Sequence, residues 1–112
     1  MQSTTFTQFQ NELTMHPIVL LYISTPTCSV CHAIKPKIEH ALTDLPMFVL
    51  DAHVYPEVAS AYQALTAPVV LLFFEGKEVH RQARFIDIPK LVKFVQSYQS
   101  MNLSVTYQDL FN

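Results

Sequence analysis

The sequence predicts an α/β fold, a four-stranded mixed sheet flanked by helices, and three observations carry that prediction. Apolar residues recur at helical spacing in three separate stretches. Between them lie short runs dense in β-branched and aromatic residues, Ile18 to Ile23, Met47 to Leu50 and Val69 to Phe74. Their order, helices alternating with strands and a last pair of strands in sequence, is that of right-handed crossovers followed by a hairpin.

Taken along the chain, each element has its own warrant. Phe6, Phe9, Gln10 and Leu13 repeat at helical spacing after polar Ser3 to Thr5, so residues 4 to 14 predict an amphipathic helix that His16-Pro17 stops. Ile18 to Ile23 is apolar throughout, as a strand buried on both faces requires. Ser24 to Thr27 reads as a loop, and Val30, Ile34, Ile38, Ala41 and Leu42 return to helical spacing over residues 29 to 42. Pro36 lies inside that helix, removes its bond to the His32 carbonyl, and predicts one kinked helix. Met47 to Leu50 is a second strand ending at Asp51, and Pro56 to Tyr62 a short helix. Val69 to Phe74 is the third strand, and Glu75-Gly76, with the chain's one glycine, turns it into an edge strand over Lys77 to Arg81. A last helix runs from about Ile88 to Tyr98 with Pro89 in its first turn.

The chain has 112 residues, 50% of them apolar, enough for one domain with its own core. Residues 1–99 are assigned to that domain and 100–112 to a C-terminal tail, seated on the sheet edge or on a second subunit, where Thr106 to Asp109 is a faint helix-start signal. The net charge of −2, with 7 Lys and Arg forming no run, argues against a nucleic-acid partner. Met1 to Met15 carries no Lys or Arg, and no stretch is long enough to span a bilayer, so a cytoplasmic protein without membrane association is expected, as a monomer or weak dimer. In such a chain two cysteines separated by two residues read as redox-active or metal-binding.

Cys28 falls at the junction of a buried strand and a helix. Unpaired N–H groups and the helix dipole there favour a thiolate, the attacking form of cysteine, so Cys28 is the expected nucleophile. Cys31, one turn on, shares the helix face, with Cα atoms expected about 5 to 6 Å apart, within disulfide reach. It is the expected resolving thiol. Cys28 would form a mixed disulfide with a substrate, and Cys31 would attack it to release the product.

Cys28-Ser29-Val30-Cys31 after a buried strand, Pro36 five residues past the motif, Asp51 ending a strand, Tyr62 six residues before Pro68, and the Glu75-Gly76 hairpin together resemble the thioredoxin family over residues 1 to 98. The resemblance implies a thioredoxin fold and a thiol-disulfide oxidoreductase acting on protein or small-thiol disulfides, re-reduced by an unidentified electron donor, with no cofactor. It also implies a cis Ala67-Pro68 bond facing the dithiol, with the Ala67 backbone and Thr27 bordering the substrate. Ser29, Val30 and His32 are the expected tuning residues, an imidazolium at His32 favouring the thiolate. The chain also departs from the family pattern. Tyr22 stands where a buried acid is usual, and the chain is apolar near Met47, where that acid has a lysine partner in thioredoxin proper. Thr27 stands where a tryptophan is usual, Ser29-Val30 replaces the usual Gly-Pro, and Arg84 and Phe85 stand where a glycine lets substrates approach.

The same residues admit rival readings. Cys28 to His32 also fits C-x-x-C-H haem attachment, with His16, His53 or Met47 as axial candidates, but that reading has no use for the buried strand or Pro68. A closed four-ligand zinc or copper site needs two further ligands, a histidine and one more, beside Cys28 and Cys31, and no metal is expected. A redox-sensitive adaptor on the same fold, without turnover, is the alternative function. Asp51 reads as a turn residue, His40, His53 and His80 as surface or interface residues, and Tyr62, Phe73 and Phe74 as core.

Overall fold

The computed structural model describes residues 1–111, with side-chain surroundings for residues 1–101. The elements are β1 (Gln2–Ser3), α1 (Phe6–Met15), β2 (Ile18–Ser24), α2 (Ser29–Ala41), β3 (Met47–Asp51), α3 (Glu57–Ala61), β4 (Val69–Phe74), β5 (Lys77–Ala83) and α4 (Ile88–Phe111). They build one sheet in the order β1-β3-β2-β4-β5. β2 runs parallel to β3 and antiparallel to β4, and β5 is the antiparallel edge.

The sheet has five strands where the sequence predicts four. The fifth is the two-residue β1, which pairs parallel with β3 through Gln2 and Ser3. Two exposed polar residues carry no apolar alternation, and what holds them is main-chain pairing that a pattern of side chains does not encode. Apart from the C-terminal end of α4, element ends elsewhere move by at most two residues. α1 starts at Phe6, capped by the Thr5 side chain, which accepts from the Gln8 N–H at 3.1 Å.

The three-layer arrangement follows from period-two alternation along strands that are buried on both sides. On one face Val19, Leu21 and Ile23 of β2 meet Leu50, Leu71, Val58 and an edge-to-face aromatic cluster of Phe9, Tyr62 and Phe73 beneath α1 and α3. On the other, Ile18, Leu20 and Tyr22 meet Cys31 and Ile38 of α2 and Leu91 and Val95 of α4. Phe73 is buried, while Phe74 and Tyr62 pack against the core from partly buried positions. α2 is a single helix with Pro36 inside it.

α4 continues well past Tyr98 to Phe111, so the backbone of 100–111, whose structure the sequence pattern left open, is helical, and no separate helix begins at Thr106. No glycine or proline follows Pro89 to end it, and the weak helix formers beyond Ser100 leave no periodic signal for a reader of sequence. The seating of that tail on the sheet edge or on a second subunit lies outside the described residues. No helix among the described residues is long and apolar enough to cross a membrane.

Candidate active site

The site forms where β2 ends. The strand delivers the chain at Ser24, and the loop Thr25 to Thr27 closes through the Cys28 N–H donating to the Thr25 carbonyl at 3.2 Å. Cys28 is then the N-cap of α2. Its backbone is extended, and its sulfur accepts from the Cys31 N–H at 3.1 Å. A sulfur holding a helix-start N–H is placed where negative charge is stabilised, by a donated hydrogen bond and by the helix dipole together.

Cys28 and Cys31 are joined as a disulfide with Cα atoms 5.3 Å apart. Their exposures differ: Cys28 is partly exposed, whereas Cys31 is 1% exposed and belongs to the core on the α2 face. Only Cys28 offers its sulfur to a large partner.

The Ala67-Pro68 peptide bond is cis, as the family resemblance implied. Ala67 and Pro68 line a shallow depression of 360 Å³ together with Cys28, Thr27, Ser29 and Val30. The fold therefore brings six of the eight expected site residues around one hollow. Cys31 lies beneath it as Cys28's disulfide partner. His32 is the residue it does not bring in. Its ring instead reaches the Pro26 carbonyl at 3.3 Å, on the exposed side of the first helical turn.

Two further residues line the hollow, Arg84 and Phe85, which follow β5. They enter because the Arg84 N–H donates to the Pro68 carbonyl at 2.8 Å, binding the end of β5 to the proline bend. In the sequence they stand out only as replacements for a glycine. Arg84 keeps the left-handed backbone that suits glycine, with φ 67°.

Tyr22, the departure at the usual acid position, is fully buried, and its hydroxyl donates to the Cys31 carbonyl at 2.6 Å. Burial pushes its pKa up to about 12, so the phenol is neutral throughout the physiological range. Alternation along β2 aims Tyr22 at α2, and a six-membered ring supplies the reach to the helix backbone.

Asp51 ends β3 as a turn residue: its carboxylate accepts from the N–H groups of His53, at 2.8 Å, and Val54, at 3.3 Å. His40 and His53 are exposed, and His80 stacks on Phe94 between β5 and α4 with ring centroids 4.0 Å apart. Among the described residues no three His, Cys, Asp or Glu side chains converge on a metal-sized site.

Comparison with known proteins agrees with this geometry. The family model described as Thioredoxin matches residues 1–97. The chain is 38% identical over 85 residues to the thioredoxin-like protein YdfQ of Bacillus subtilis, an alignment covering 73% of this chain and 76% of that protein. It is 28% identical to a thioredoxin of Chlamydia trachomatis, over 73% of this chain and 83% of the other. Among solved structures, a mutant thioredoxin from Halobacterium salinarum superposes with a TM-score of 0.78 at 23% identity, over 87% of this chain and 88% of that one, a likeness of fold. A family match across almost the whole chain, set beside a helix-capping cysteine pair that faces a cis proline, makes this chain a member of the thioredoxin family, whose function is of the thiol-disulfide oxidoreductase type.

Proposed function

We propose that this protein is a thiol-disulfide oxidoreductase that exchanges a Cys28-Cys31 dithiol with the disulfides of protein or small-thiol substrates, Cys28 attacking and Cys31 resolving. The observation that carries the reading is the unequal placement of two bonded sulfurs, one a partly exposed helix cap holding an N–H, the other 1% exposed behind it.

In the reductive direction the Cys28 thiolate attacks one sulfur of a substrate disulfide. That S–S bond breaks, and the distal substrate sulfur leaves as a thiolate that takes a proton from solvent. Cys31, on losing its own proton, attacks the Cys28 sulfur and expels the second substrate sulfur. Two electrons and two protons have then passed from the dithiol to the substrate, and an external dithiol donor of the same chemical class restores the enzyme. Ala67 offers the substrate a backbone edge for strand-like pairing, since among the described residues neither its N–H nor its C=O has a partner. Thr27, Ser29 and Val30 border the attacking sulfur. His32 tunes the site by bracing the loop at Pro26 and, when cationic, by favouring the thiolate.

The test is dithiothreitol-driven insulin reduction. Wild type accelerates it, Cys28→Ser falls to the dithiothreitol background, and Cys31→Ser accumulates a mixed disulfide. The pH profile of Cys28 alkylation moves to higher pH in His32→Ala. A disulfide that titrates normally but gives no acceleration would replace the reading with the adaptor function. That alternative draws on the neutral Tyr22 phenol, which offers Cys31 no carboxylate to take its proton.

A further inference from the structure

The hollow beside Cys28 carries one charged group, the Arg84 guanidinium. The chain has two arginines, and their situations are opposite. Arg81 is fully engaged at Nε and at one amino nitrogen and partly at the other: Glu78 accepts from it at 2.7 and 3.1 Å, the Gln63 carbonyl at 3.0 Å, and the Tyr62 carbonyl as well. Arg84 is exposed, and among the described residues no hydrogen bond or ion pair engages its side chain. It is also held in a left-handed backbone that glycine adopts freely and arginine at a cost, which is how residues kept for a site rather than for stability are often found. Beside it Phe85 is 89% exposed, and Val30 across the hollow is 50% exposed. Large apolar surface left open around a single unpaired cation fits a partner that brings an apolar chain and a carboxylate.

We propose that Arg84 and Phe85 are specificity-determining residues. The preferred substrate is an extended, disulfide-bearing protein segment with an acidic side chain within two positions of the reacting cysteine. The inference rests on the exchange reading above and deepens it. The unpaired Ala67 backbone favours an extended chain over a small disulfide, because a small molecule would leave that edge and the Phe85 ring uncovered. Arg84 and Ala67 keep a fixed separation through the Arg84 to Pro68 hydrogen bond, so charge recognition and strand pairing act on the same bound segment.

The experiment uses the full-length reduced protein and symmetric disulfides of capped nine-residue peptides. These differ only in Glu, Gln or Lys two residues before cysteine. Each turnover oxidises one dithiol and yields two peptide thiols, counted by chromatography after acid quenching. Every rate is divided by that of dithiothreitol on the same peptide, which removes the effect of the neighbouring charge on the leaving thiol. The expected order is Glu above Gln above Lys, with about a tenfold span at low salt that shrinks in 0.5 M salt. Arg84→Lys keeps the order, Arg84→Gln collapses the span to about one, and Arg84→Glu reverses it. Phe85→Ala lowers all three rates together. Equal normalised rates for the Glu and Lys peptides overturn the proposal while leaving the exchange reading intact; failure to reduce any peptide overturns both.

Discussion

Tyr22 decides how the backbone of Cys31, the proposed resolving thiol, is held. Its hydroxyl gives the Cys31 carbonyl a donor from the sheet, tying the first turn of α2 to β2 across the crossover. Tyr22→Phe removes that bond with little change of shape and is expected to lower stability by about 1 kcal/mol. The same substitution carries a pH signature. A phenol whose pKa rises on folding keeps its proton in the native state, so its share of stability is whole below pH 10 and drains away as pH climbs from 10 toward about 12. About 2 to 3 kcal/mol is lost over that window. Urea melts of wild type between pH 8 and 11.5 should show the decline and those of Tyr22→Phe a flatter one. Some slope persists in the variant, because burial also raises the Tyr62 pKa.

At the scale of the element, the β4–β5 hairpin sets the far wall of the site. Phe74 pairs with Lys77, leaving a two-residue turn in which Glu75 and Gly76 both have positive φ, 54° and 80°. Turns of this kind match the twist of the strands, and Asn suits their first position far better than Glu. Glu75→Asn keeps the Glu75 N–H bond to the Pro17 carbonyl, which is main-chain, and should raise stability by about 0.5 kcal/mol. Thermal melting should then rise by about 2 to 4 °C. Further along, the register shifts between Leu72 and Phe73, so Leu72 opposes His80 while Phe73 opposes Glu78. That bulge turns His80 and Gln82 toward α4 and Arg81 toward α3, which is why Arg81 is spent on Tyr62 and Gln63 while Arg84, beyond the strand, is left for the site.

For the molecule as a whole, α4 is the layer whose docking is expected to depend on pH. His80 stacks on Phe94, and its Nε2 faces the Gln82 amide nitrogen at 3.0 Å. That amide is oriented by its oxygen accepting from the Asp87 N–H, so the imidazole nitrogen accepts, a role open only to the neutral ring. Burial first, and Lys90 second, push the His80 pKa below its ordinary 6.5. A base whose pKa falls on folding lends stability that is intact above pH 6.5 and is lost as pH drops through the lower folded value. The melting temperature should therefore fall between pH 7 and 5, and His80→Phe, which keeps an aromatic stack, should reduce that fall. An unchanged slope in the variant would assign the acid sensitivity elsewhere.

Local periodicity was enough to place β2, β3 and β4, to show from the unbroken apolar run of β2 that both sheet faces are covered there, and to put Cys28 at a helix start with Cys31 one turn behind. These properties are encoded within a few residues of one another, where side-chain spacing and backbone geometry suffice. The partner of the Tyr22 hydroxyl, the seat of Arg84 beside Pro68 and the parallel pairing of β1 belong to another class. Each depends on strand register, on a bulge or on main-chain hydrogen bonds between segments far apart in the chain. Side-chain pattern is silent about such pairings, so only the folded chain decides them.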